Sequence, residues 1–379
     1  MQNLDSQIIR PTLLLDKAKC ILNIETMLAK AQRSSTRLRP HFKTHQSAQV
    51  GEWFKERGVE TITVSSMQMA GYFANYGWND ITVAIPVNVR EIDLINDLAS
   101  KIQLNLVVES QETIAFLQSG LKYKVGVFIK VDTGYQRSGI PAESTGSIRL
   151  LVSLMKESDR LNCKGFLAHT GHNYQAKDQE EIHKNHSKTL LALNELKDVF
   201  RKEIPGIEVS LGDTPACSIS EEFYGIDEIR PGNFVFYDIM QYVLGSCDED
   251  QIAVAMACPI IARNIDRNEL VIYGGGVHFS KEYLEADDEG TKLYGSIVRI
   301  TENGWSEILG GGYLAGLSQE HGIVRCSDEL FDEFGIGDLI GVLPVHSCMS
   351  ANLMGKFMTT EGEWITTMNS EQLSVNNEQ

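Results

Sequence analysis

The feature that most constrains this chain is an alternation running from residue 16 to about 235. Stretches with apolar residues at helical spacing separate short runs rich in apolar and β-branched residues. An amphipathic stretch at 16–32 leads into 37–43, which reads as a strand. Strand-like runs recur at 61–64, 81–85, 102–108, 125–131, 163–169, 207–211 and 228–234. Helical periodicity lies between most of them, as at 92–101, 144–157 and 182–201. Runs this apolar, separated by helices, suggest parallel strands covered on both faces. Eight of them are what an α/β barrel needs.

Past Asp238 the texture changes. Short strand candidates at 252–265, 270–274, 295–300, 338–343 and 356–368 are punctuated by Gly, Asp and Asn, with hairpin turns expected at Arg267-Asn268 and Glu361-Gly362. The expected fold class is therefore α/β: a (β/α)8 TIM-like barrel over 16–240, followed by a mainly-β domain over 241–379. The segment 1–15, with a short apolar strand at Thr12–Leu15, is expected to join the β domain, and the polar stretch 369–379 to fray.

At 379 residues the chain is long enough for two domains, and 42% hydrophobic with 22% charged residues suits a soluble protein with a sizeable core. A net charge of −17 disfavours nucleic-acid binding and attraction to anionic membranes. Any grip on an anionic substrate must then be local. Seven irregularly spaced cysteines, a polar segment 1–10 without a signal-peptide core and no apolar run of spanning length point to reduced thiols and the cytoplasm.

Three segments carry chemistry. Arg39-Pro40-His41-Phe42-Lys43-Thr44-His45 puts a lysine at the end of the first barrel strand, on the face where barrel active sites sit. His41 and His45 stand four apart, but Pro40 argues against the helix that would make them a metal pair. Gly212-Asp213-Thr214-Pro215 follows the seventh strand, with Thr214 as a helix N-cap and Pro215 at the first helical position. Such a start could hold a phosphate, and equally could be a plain turn. Gly232, in Arg230-Pro231-Gly232-Asn233, would let a phosphate approach the backbone closely. In Pro344-Val345-His346-Ser347-Cys348, a strand would turn His346 and Cys348 the same way. Imidazole with thiolate suits zinc; a buried His beside a buried Cys is the plainer alternative. His169 and His172 form a further pair, whose geometry depends on a bend at Gly171.

Together these segments resemble the fold-type III pyridoxal-phosphate enzymes, the alanine racemase superfamily. More narrowly, the chain resembles the metal-dependent branch with D-serine dehydratase, D-threo-3-hydroxyaspartate dehydratase and D-threonine aldolase. The resemblance rests on Arg39–His45 and His346–Cys348, supported by 131–139 and 230–238 in the expected order. It implies a homodimer that binds pyridoxal 5'-phosphate at the barrel mouth together with a divalent metal, zinc being the fitting ion.

On this resemblance Lys43 matches the imine lysine, and Arg137 the arginine near the cofactor's phenolic oxygen. Thr214, Gly232 and Asn233 match phosphate-holding positions, and Tyr174 an active-site tyrosine near the ring. Arg230 occupies the place of the arginine facing the pyridine nitrogen, a role for which Tyr174 competes. His346 and Cys348 match the metal ligands of the dehydratases, whereas aldolase members carry Asp at the second position.

The implied activity is dehydration of a D-3-hydroxyamino acid, such as D-serine or D-threo-3-hydroxyaspartate, to a keto acid and ammonia. Lys43 would take the Cα proton while the metal assists loss of the β-hydroxyl. A retro-aldol cleavage to glycine and an aldehyde uses the same parts. A metal-free racemase and a non-catalytic cofactor-binding protein are the alternatives of other classes.

Overall fold

The computed structural model describes residues 4–287 and 289–370, so the stretch expected to fray lies outside them from 371 onwards. The chain forms two compact units. One comprises Glu25–Lys43 and Gly51–Gly232, the other Met1–Ile24, Thr44–Val50 and Asn233–Gln379.

The first unit is a parallel barrel. Its strands follow the spatial order Arg37–Leu38, Glu228–Ile229, Glu208–Leu211, Leu161–Ala168, Val125–Asp132, Gln103–Val108, Asp80–Pro86 and Thr61–Val64. A parallel bridge between His41 and Thr63 closes the ring. Inside it Val107, Phe128 and Leu167 pack together from three neighbouring strands. Helices cover the outside, and short polar caps begin several of them. Ser66, Ser110 and Asp178 accept from the backbone N–H groups of Met69, Thr113 and Glu181.

Two strands are shorter than expected. Regular pairing in the first stops at Leu38, because Pro40 has no N–H to give. Single backbone bonds carry the ladder on: Arg39 N–H donates to Ile229 O, His41 N–H to Pro231 O and Phe42 N–H to Thr63 O, each at 2.9 Å. Lys43 therefore lies in the turn just beyond the ladder. The eighth strand ends at Ile229, and Asn233–Val235 forms a 3-10 turn instead of continuing it.

The second unit is built on a sheet of nine strands. Their spatial order is Glu269–Tyr273, His321–Cys326, Gly304–Leu317, Gly295–Thr301, Leu339–Pro344, Val254–Asn264, Thr12–Leu15, Lys356–Thr359 and Trp364–Thr366. Val254–Asn264 also pairs with Glu269–Tyr273. Thr12–Leu15 runs antiparallel to Val254–Asn264, and Leu14 packs with Ala257, Met358 and Leu339. Both expected turns form, with Asn268 at φ 48° and Gly362 at φ 88°. Gly304–Leu317 and His321–Cys326 were not expected as strands. Glycines 310–312 weaken the local preference for a strand, yet a Cβ on Gly312 would lie 2.3 Å from Leu330 Cδ2. Glycine there permits close packing of a strand.

Candidate active site

In the barrel unit, the side chains singled out by sequence lie beyond the ends of the strands. Lys43 is exposed, in a turn whose preceding residue, Phe42, is fully buried. The Phe42 ring sits 4.9–5.0 Å from the rings of Phe54, Phe73 and Trp78, which fixes the turn from below. The Lys43 N–H donates to His41 Nδ1 at 3.4 Å. Arg137 is carried by the loop after Val125–Asp132. There the Asp132 carboxylate accepts from Gly134 N–H at 2.9 Å and Gln136 N–H at 3.0 Å. The Arg137 guanidinium lies 5.0 Å from the Tyr135 ring centre. His169 and His172 flank that same ring at 6.0 and 6.4 Å. Burial pushes His169 down to about 3, and the charges of Lys43, Lys130 and Arg137 push the same way.

Tyr174, Thr214 and Gly232 are brought together. Thr214 N–H donates to the Tyr174 hydroxyl at 3.2 Å, and Gly232 N–H donates to Thr214 Oγ1 at 3.3 Å. Gly212 allows this approach, since a Cβ there would lie 2.8 Å from Arg230 Cβ. The helix begins one residue earlier than the sequence reading placed it. Asp213, not Thr214, is the N-cap and accepts from Ala216 N–H at 2.7 Å. Asp213 also receives bonds from Thr170 Oγ1 and Asn173 Nδ2, which hold its carboxylate in the capping position. The buried Arg230 guanidinium donates to Ser210 Oγ and, at 2.7 Å, to Ala168 O. Burial pushes it down to about 10.

Lys130 was missed by the sequence reading. It lies two residues beyond Phe128 on the same face of Val125–Asp132, so alternation alone directs it inward. Burial first, then the charges of Arg230 and Arg137, push its amine down to about 7. This end of the barrel thus offers an exposed amine, hydroxyl and N–H donors, and several cations. That donor set fits a group with an aldehyde and a phosphate: Lys43 would hold the first, and Thr214 and Gly232 the second.

In the second unit, His346 and Cys348 come together, but not on a strand. The strand ends at Pro344; His346 is the N-cap of the helix Ser347–Met354, and Cys348 lies in its first turn. The helix starts there because the buried Asp238 carboxylate accepts from Ser347 N–H at 2.9 Å and Ser347 Oγ at 3.2 Å. The Asn233 side chain donates to Asp238 Oδ2 at 2.7 Å, Ser347 Oγ at 3.0 Å and Cys348 Sγ at 3.5 Å. Thr44 Oγ1 lies 3.3 Å from the same sulfur.

The His346 imidazole hydrogen-bonds the Cys348 thiol and, through Nδ1, the Glu282 carboxylate. Burial alone would lower it, but those two bonds and the nearby Asp238 charge hold it up at about 11. Adjacent imidazole and thiol are the donors zinc prefers, so the pair fits a metal. Among the described residues no group of three His, Cys, Asp or Glu forms a fuller set. Asp238 and Glu282 were not found from sequence, because both act across long stretches of chain.

A parallel barrel with an amine-bearing turn and a phosphate-suited helix start beyond its strands defines an alanine racemase-like barrel. The chain belongs to the family of the alanine racemase N-terminal domain, whose model matches residues 15–239, and a serine dehydratase domain matches residues 253–360. It is 27% identical over 372 residues to D-serine dehydratase of Dictyostelium discoideum, covering 88% of this chain and 89% of that one. It is 25% identical over 350 residues to D-threo-3-hydroxyaspartate dehydratase of Delftia sp. (strain HT23), covering 89% and 90%. The solved structure of that dehydratase superposes with a TM-score of 0.89 over 97% of this chain and 99% of that one, at 23% identity. A cysteine-to-alanine variant of it, described in its metal-free form, also superposes with a TM-score of 0.89, at 22% identity over 97% of this chain and 99% of that one.

Proposed function

We propose that this chain is a pyridoxal-phosphate- and metal-dependent dehydratase of D-3-hydroxyamino acids. The observation that carries the reading is the His346–Cys348 pair, a metal-suited donor set that a barrel needing only a cofactor would not require. The names of the dehydratases this chain resembles support it.

On this reading the barrel part, residues 16–240, holds the cofactor, and the mainly-β part, 241–379 with 1–15, carries the metal pair. When bound, the cofactor supplies an electron sink that makes the substrate's Cα–H acidic, and the metal supplies a Lewis acid for the departing β-hydroxyl. Lys43 would anchor the cofactor, and its amine, when free, would take the Cα proton. Thr214 Oγ, Gly232 N–H and Asn233 hold the phosphate end, and Arg137 stands against the phenolic oxygen. Arg230 or Tyr174 serves the pyridine nitrogen. His346 and Cys348 ligate zinc. The net reaction releases a keto acid and ammonia. The protein acts as a homodimer in the cytoplasm, where its seven free cysteines stay reduced.

Keto-acid release from a panel of D-3-hydroxyamino acids, with and without chelator, tests this reading. Full activity after thorough metal removal would refute the metal's part, and glycine with an aldehyde as products would establish the aldolase instead.

A further inference from the structure

Two carboxylates serve the turn that carries His346 and Cys348, and they do different work. Asp238 is buried and spends its bonds on Ser347, Asn233 and Gln241, so it fixes the backbone. Glu282 is exposed, its side chain 43% accessible, and bonds the imidazole itself, at Nδ1.

The segment bearing Glu282 is held to the same helix. Phe279, 3% exposed, ends the short helix Gly276–Phe279, and Ser350 Oγ donates to its carbonyl at 3.4 Å. Ser350 lies on the helix that begins with the His346–Cys348 turn. Ser280 then adopts φ 70°, a left-handed conformation that side chains other than glycine's adopt only where the surroundings enforce it. Its Oγ accepts from Glu282 N–H at 3.3 Å. The turn therefore delivers the carboxylate to the imidazole by a folded route, which an incidental surface ion pair does not need.

We infer that Glu282 is the positioning residue of the metal pair: by accepting from Nδ1–H it fixes the ring's orientation and tautomer and leaves Nε2 to ligate. This rests on the reading of His346 and Cys348 as metal ligands. A carboxylate behind a ligating histidine raises the basicity of the ring and restricts its rotation. Loss of such a partner typically costs 10–100-fold in metal affinity. The effect should be near the upper end here, because two protein ligands leave little else to compensate.

The test uses cofactor-loaded wild type, Glu282→Gln, Glu282→Ala and Cys348→Ala, with zinc affinity read by competition against a chromophoric chelator. Glu282→Ala is expected to bind zinc about 10–100-fold more weakly. Glu282→Gln should fall between it and wild type, because an amide oxygen still accepts from Nδ1–H. In zinc-loaded protein with 15N-labelled histidine, one ring should carry its proton on Nδ1 and its metal on Nε2, and lose that signature in Glu282→Ala. Zinc affinity unchanged in Glu282→Ala but reduced in Cys348→Ala would overturn the role of Glu282 alone, as would metal on Nδ1. Equally weak binding by wild type, Glu282→Ala and Cys348→Ala would overturn the metal reading and this inference with it. Unchanged thermal unfolding of the metal-free variants excludes a general loss of structure.

Discussion

Where the barrel strands begin, Arg39 donates to Glu228 at 2.8 Å and to Asp80 at 2.7 Å, and Arg37 reaches Glu228 at 2.6 Å and Glu208 at 2.7 Å. Towards and beyond the other ends of the strands, Lys130, Arg137 and Arg230 have no ion-pair partner among the described residues. The same physics then moves the groups in opposite directions. At the first end burial would raise Glu228, but Arg39 and Arg37 hold it at about 2, and Arg39 is itself raised. At the second end burial lowers Lys130 to about 7 and Arg230 to about 10. Paired charge marks the end that holds the barrel together. At the other end the cations form no ion pair among the described residues, and Arg230 and Arg137 add to the lowering of Lys130.

The contrast can be broken most directly at Lys43. Lys43→Ala should lower turnover by about a hundred- to ten-thousand-fold or more. Its thermal unfolding should stay near that of wild type; a variant that unfolds early would place Lys43 among the structural charges. Glu228→Ala should do the reverse. It takes one of two carboxylates from the buried Arg39, leaving only Asp80, and should cost ~3–5 kcal/mol in urea unfolding. A loss below ~1 kcal/mol, within the range of exposed ion pairs, would show that water reaches the network.

Lys130 sharpens the comparison through pH. Its folded value of about 7 lies below an unfolded value of about 10.4, so the unfolded chain binds the extra proton between them. Stability of the cofactor-free protein should therefore rise with pH across that window. Lys130→Met lacks the group and should lack the rise. Its advantage, on the order of a few kcal/mol near pH 7, should shrink towards pH 10, as denaturation at both pH values would show. A constant gap would mean that Lys130 is not depressed. The smallest effect belongs to Asp213: Asp213→Ala should cost about 1 kcal/mol and Asp213→Asn less. Equal losses from both would argue that the carboxylate's charge, rather than its capping bond, matters.

Both strands and helices of the barrel were legible in the sequence, because strands buried on both faces must be apolar throughout. The site was legible in its residue types more than in its geometry. Gly212-Asp213-Thr214-Pro215 offers two capping residues in a row, and the choice of Asp213 is made by Thr170 and Asn173, invisible to a local reading. The strand reading of His346 and Cys348 failed for a related reason. Asp238, 109 residues before Ser347, recruits its N–H and starts a helix where alternation suggested a strand. Lys130, by contrast, could have been found from its position two residues after Phe128 in an apolar run.

The place of Thr12–Leu15 has a consequence for how the chain is made. Its antiparallel partner begins at Val254, about 240 residues later. At roughly 5–20 residues per second, that strand leaves the ribosome some 12–50 seconds before the strand it pairs with exists. The whole barrel segment emerges in between. The Thr12–Leu15 strand is thus an unpaired edge throughout the barrel's own folding, and chaperone demand during translation should fall on it.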